Sequence, residues 1–161
     1  MDYYLVDTDL KRFTDVLFKI MPGSILKFTA DKQLIFDYEF ADAFYFWAQG
    51  TPDKPIIFES ADPNAKWGGI RMNGRFTMKY CEIRIAGSNL LPDAPYPTNI
   101  FINTAINAGY LNVIENCTIT GSLGYGAIRN KYVRPEWDPG NPDNNTIFNN
   151  NALGDIYNLE Q

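Results

Sequence analysis

Residues 78–86 read Met-Lys-Tyr-Cys-Glu-Ile-Arg-Ile-Ala, and residues 114–122 read Ile-Glu-Asn-Cys-Thr-Ile-Thr-Gly-Ser. At an offset of 117 − 81 = 36 residues, Cys81 falls on Cys117 and Ile83 on Ile119. A third copy, Ile147-Phe148-Asn149-Asn150-Asn151-Ala152, puts Asn149 on Asn116 and Asn150 on Cys117. Short β-like strings that return at a fixed offset mark a solenoid, in which each coil stacks on the one before. Successive strand residues point to opposite sides. Cys81, Ile83 and Ile85 therefore share one side, and Tyr80, Glu82 and Arg84 share the other. Asn116, Thr118 and Thr120 lie beside the second set. An apolar inner row and a polar outer row are what a solenoid wall needs.

Outward from these strings the chain reads as short strands between turn residues. Leu10, Phe13, Leu17 and Ile20 stand at helical spacing, but Val16–Ile20 reads equally as a strand and is favoured as one because everything after it is β. The expected strands that follow are Ile25–Thr29, Gln33–Phe36, Phe44–Ala48, Pro55–Glu59, Gly69–Met72 and Arg75–Ile85. Asn99–Asn103, Leu111–Ile119, Ala127–Asn130, Ile147-Phe148 and Asp155–Leu159 continue the series. Asn73-Gly74 suits either a tight hairpin or a solenoid corner, since both use left-handed backbone. Two proline-bearing loops interrupt the coils, at 90–98 (Pro92, Pro95, Pro97) and 133–145 (Pro135, Pro139, Pro142). Proline lacks the N–H that a central strand needs, so both loops are expected to bulge from the surface. The 161 residues form one domain, 1–161, with residues 1–15 a candidate N-terminal cap. The Tyr3-Tyr4 start and the Glu160-Gln161 tail are the candidate cap elements.

Composition narrows the function classes. The chain is 45% hydrophobic and 15% aromatic, enough for a packed core. Net charge is −5 with no basic run, so nucleic acid is not an expected partner. There is no histidine, which removes Ser-His-Asp and Cys-His catalysis and most zinc sites. No membrane span is expected, and Met1-Asp2-Tyr3-Tyr4 has neither a basic nor an apolar leader region. Cys81 and Cys117 are expected side by side, either as two buried thiols or as a disulfide between coils about 4.8 Å apart.

Several strings occur in order: Ile20-Met-Pro-Gly-Ser-Ile-Leu-Lys-Phe28, Ala48-Gln-Gly-Thr-Pro-Asp-Lys-Pro-Ile-Ile-Phe58, Trp67-Gly-Gly-Ile70, Tyr80-Cys-Glu-Ile-Arg-Ile-Ala-Gly87 and Ile114-Glu-Asn-Cys-Thr-Ile119. This ordered set resembles the right-handed parallel β-helix proteins of the pectate-lyase-like superfamily. The nearest type is the extracellular, often lipoprotein-anchored β-helix proteins of bacteria. The resemblance implies an all-β, right-handed parallel β-helix of about four to five coils. It also implies a secreted or cell-surface setting and a bias toward carbohydrate. It does not imply catalysis, because function sits in sites grafted onto folds.

The expected function is a non-catalytic surface module whose loops bind glycans or partner proteins, with no cofactor. The competing expectations are a polysaccharide lyase or glycoside hydrolase, and a structural segment of a larger adhesin. The candidate ligand-binding residues are Tyr132, Trp137, Asp138, Glu82 and Arg84. Exposed aromatic rings suit stacking on sugars, and Tyr96 in the first loop shares that chemistry. Asp138 and Asp143 are candidate calcium ligands, because hard oxygens cluster in Trp137–Asn145. Trp67 is expected at a coil corner. Hydrolysis would need carboxylates such as Asp37, Glu39, Asp42, Glu59 and Asp62 to converge within roughly 5–10 Å.

Overall fold

The computed structural model describes residues 2–12, 17–36, 45–103, 112–130, 134 and 138–159. Its strands come mostly in threes. β1 (Tyr4–Val6), β2 (Leu10–Arg12) and β3 (Leu17–Ile20) are followed by β4 (Ile25–Phe28), β5 (Gln33–Phe36) and β6 (Tyr45–Gln49). Next come β7 (Ile56–Ser60), β8 (Gly69–Met72) and β9 (Arg75–Lys79), then β10 (Cys81–Arg84), β11 (Thr98–Ile102) and β12 (Val113–Glu115). β13 (Thr118–Thr120), β14 (Tyr125–Arg129), β15 (Ile147–Asn149) and β16 (Gly154–Asn158) complete the series.

Three sheets result, and among the described residues every strand pair within them is parallel. Sheet A runs β1-β4-β7-β10-β13-β15, sheet B runs β2-β5-β8-β11-β14-β16, and sheet C runs β3-β6-β9-β12. Each strand thus pairs with the strand one circuit later, the arrangement of a parallel β-solenoid. A parallel pair cannot be joined by a two-residue turn, so the chain must travel round before it returns. Asn73-Gly74 accordingly joins β8 in sheet B to β9 in sheet C and is a corner, not a hairpin. Residues 4–6 and 10–12 of the expected cap are the edge strands of sheets A and B.

The 36-residue repeat is a true register. Glu82 faces Thr118, Ile83 faces Ile119 and Arg84 faces Thr120. The long strands expected at Arg75–Ile85 and Leu111–Ile119 each break in two. The breaks fall at Tyr80 (φ 49°) and Asn116 (φ 54°), where left-handed backbone turns sheet C into sheet A. A second corner follows at Ile85 (φ 58°), Gly121 (φ 73°) and Asn150 (φ 53°). The third copy sits elsewhere than its asparagines suggested. Thr118 pairs with Ile147 and Thr120 with Asn149, so Asn145 (φ 49°), not Asn149, lies on Asn116. The corner requires a left-handed residue before the strand, and Asn145 supplies it.

One interior is shared by all three sheets. Leu26, Phe58, Ile83 and Ile119 line it from sheet A; Leu34, Ile70, Ile100 and Ala127 from sheet B; Phe46, Ala48, Met78 and Ile114 from sheet C. Trp67 is fully buried, stacks on Phe28 with ring centroids 4.2 Å apart, and donates its indole N–H to the Arg84 carbonyl at 2.7 Å. It fills the corner between sheets A and B, as expected of the Trp-Gly-Gly-Ile motif. Buried asparagines satisfy backbone where strands stop. Asn112 accepts from Phe76 N–H at 2.8 Å and donates to the Gly74 carbonyl at 3.1 Å. Asn99 accepts from Ala86 N–H at 3.0 Å and donates to the Thr120 carbonyl at 2.9 Å.

Asn112→Ala leaves a buried donor and a buried acceptor unpaired, and should cost about 2–3 kcal/mol. Asn112→Asp keeps the acceptor but buries a carboxyl against the Gly74 carbonyl, and should cost at least as much at neutral pH. Urea denaturation of both variants checks the order; equal stability of wild type and Asn112→Ala would remove the corner role.

Candidate functional site

The outer face of sheet A carries Glu82 and Arg84. Register sets Arg84 beside Glu59, which pairs with Lys27 in β4. Glu82 is ion-paired with Arg84, Arg84 Nη1 lies 3.3 Å from Glu59, and Lys27 Nζ lies 3.3 Å from the same carboxylate. Lys27 also sits 5.0 Å over the Tyr3 ring. Two expected site residues are thus brought together, but in an alternating ladder where each carboxylate faces a cation. Partly exposed pairs of this kind contribute roughly 0–1 kcal/mol each. Glu59 and Glu82 share one arginine. Asp62, three residues on, accepts from the Asn64 N–H at 2.8 Å and stabilises its own turn. Asp37, Glu39 and Asp42 lie outside the described residues, as do Tyr132, Trp137, Glu160 and Gln161.

The described part of the second loop is braced internally. Asp138 is ion-paired with Arg129 at the end of β14, and accepts from Gly140 N–H at 2.8 Å. Its carbonyl accepts from the Asn144 side chain at 2.8 Å. A short 3-10 turn, Pro142–Asn144, begins under the Asn141 side chain, which accepts from Asp143 N–H at 3.2 Å. Arg129 also donates to Asn158 at 2.6 Å, and burial lowers its pKa from the usual arginine value. The Asp138 carboxylate therefore already faces a cation. Among the described residues, no group of three or more His, Cys, Asp or Glu side chains is placed to hold a metal ion.

The first loop builds a different surface. Residues 35, 71, 101, 128 and 157 occupy one row across sheet B, and that row is on its outer face. Phe101 and Ile128 in it are nonetheless buried, because Leu91 and Ala94 of the loop pack on them. Arg71 holds the loop down through Asp93 at 2.7 Å and lies 6.0 Å from the Phe101 ring centre. Pinned this way, the loop sets Tyr96 against Tyr125 of β14 and Tyr157 of β16. The three ring centroids are 5.6, 5.0 and 5.1 Å apart. Tyr96 is 39% exposed. Gly154, the register partner of Tyr125, has no side chain to cover that ring.

A smaller aromatic pair lies on the outer face of sheet C. Tyr45 and Trp47 meet edge to face at 5.5 Å, Lys19 lies 5.9 Å over Trp47, and the Tyr45 hydroxyl is hydrogen-bonded to Thr77. The sequence singles out Tyr96 but not Tyr157, which falls in an expected strand, nor Tyr125, which falls in the glycine-rich stretch before one. Only the β14–β16 pairing brings them to one place. No family model, curated protein or solved structure matches this chain. Among the described residues, no helix is long and apolar enough to cross a membrane.

Two measurements check this account. Asp93→Asn should loosen the loop and raise the rate of proteolytic cleavage within 90–98 several-fold, with the melting temperature almost unchanged. Millimolar calcium should shift the melting temperature by less than about 1 °C, because Arg129 occupies the Asp138 carboxylate. A larger rise would show that the loop takes the ion after all.

Proposed function

We propose that this chain is a non-catalytic module with the form of a right-handed parallel β-helix, displayed outside the cell, that binds a glycan through its loops. Four successive strand triplets, β1 to β12, and two further circuits of which two strands each are described, β13–β14 and β15–β16, support the stacked-coil form. The extracellular setting rests on the ordered motifs that resemble bacterial β-helix proteins.

One observation carries the binding reading: the Tyr96–Tyr125–Tyr157 cluster, held by a loop that is itself packed and ion-paired to sheet B. Tyrosine rings offer apolar faces to the C–H side of a pyranose, and their hydroxyls serve its hydroxyl groups. A rigid platform loses little conformational entropy on binding. Tyr132, just before the second proline loop, and Trp137 within it carry the same ring chemistry.

The enzymatic alternative fares worse. Hydrolysis needs two carboxylates, one of them raised in pKa, across a groove. The described candidates on the sheet A wall, Glu59 and Glu82, are both compensated by Arg84.

A glycan array with the full chain is the test. Tyr96→Ala should weaken binding at least roughly tenfold, equivalent to about 1.4 kcal/mol, with no change in melting temperature. Trp137→Ala should weaken it in the same assay, and Trp47→Ala on sheet C should leave it intact. Binding unaffected by Tyr96→Ala would remove the site, and sugar products released from a polysaccharide panel would overturn the non-enzymatic reading.

A further inference from the structure

We propose that Cys81 and Cys117 are the reduced form of a disulfide that staples two successive circuits of the chain together. The register Glu82–Thr118 makes these two cysteines direct neighbours, one at the start of β10 and the other just before β13. Neighbouring strands lie about 4.8 Å apart, inside the Cα separation of roughly 4.4–6.8 Å that a disulfide spans. Both side chains are buried and face the same interior, where the Cys81 thiol donates to the Ala48 carbonyl at 3.3 Å and the Cys117 thiol to the Glu115 carbonyl at 3.4 Å.

The position gives the staple a use. Sheet A thins here, from four-residue β10 to three-residue β13 and three-residue β15. The ladder continues from Cys117 to Thr146, whose hydroxyl is buried without a hydrogen-bond partner. Within sheet A the last strands pair over fewer residues than β4 and β7 do, and a covalent link at this rung ties them to the rest. The closed loop would run through β11 and β12 and span 36 residues from Cys81 to Cys117.

The chemistry balances with a small-molecule disulfide as the oxidant. Each thiol gives up one proton and one electron, a sulfur–sulfur bond forms, and the oxidant gains two protons and two electrons to become two thiols. Burial pushes the Cys81 thiol pKa well up, and in the folded chain both sulfurs are shut away from solvent. Exchange with the oxidant must accordingly happen while the circuits are still open, during folding. The closure does not depend on the glycan-binding reading.

The test refolds the denatured, reduced full chain in two ways, in a glutathione redox buffer and in excess phosphine reductant. Each product is then unfolded, treated with iodoacetamide and weighed intact. The oxidative product should be a monomer two hydrogens lighter with no alkyl adduct, and should melt roughly 5–10 °C above the reduced product. The reduced product should carry two adducts. Two adducts after oxidative refolding, glutathione mixed disulfides, crosslinked dimers, or an oxidised product that melts no higher would each overturn the proposal. Cys117→Ala should melt at one temperature in both buffers; should it fail to fold, the mass measurement on the native sequence decides alone.

Discussion

The structure depends on one constraint: a strand in a parallel stack finds its hydrogen-bond partners only in the circuits before and after it. Nothing inside a single circuit closes the backbone's polar groups, so each circuit must match its neighbour residue by residue. The left-handed corners enforce that match. Tyr80, Asn116 and Asn145 bend the chain at one height, and Ile85, Gly121 and Asn150 bend it again a few residues on. Between two such corners the strand has a set length, and its inward residues have no choice of face. Ile85 is a poor residue for left-handed backbone, and its presence there indicates that the stacked surroundings, not local preference, hold the corner.

The three sheets differ in what they leave to solvent. Sheet A has a charged, self-compensating exterior. Sheet C has a mixed one with a single aromatic pair. Sheet B carries Phe101 and Ile128 on its exterior, and that patch forms a second, smaller core under the first proline loop. That loop is therefore not a loose excursion. Leu91 and Ala94 hold it by burial, Asp93 holds it through Arg71, and its last residues feed directly into β11. A packed loop keeps its side chains where the sheet puts them, which is why Tyr96 meets two tyrosines that belong to strands.

Much of the fold was legible because alternation is a strong signal. Ile83 and Ile119 announce an inward row, and the repeated cysteine sets its register. Trp67 was legible through its glycine neighbours. The strand break at Tyr80 was not, since tyrosine carries no mark of left-handed backbone. The third repeat was placed wrongly because Asn149 and Asn150 resemble Asn116 in type, whereas Asn145 resembles it in conformation. The candidate site was harder still. Glu82 and Arg84 could be placed on one face from alternation, but their neutralising partners Glu59 and Lys27 come from other circuits. The tyrosine cluster joins residues 96, 125 and 157, and no local pattern links them before the stacking order is known.

The corners also govern how such a chain can change length. One residue added between Tyr80 and Cys81 would swing Ile83 toward water and Glu82 into the dry interior, and every later row would follow. A duplicated circuit, complete from corner to corner, would disturb none of them. Growth by whole storeys is thus open to this protein where growth by single bricks is closed.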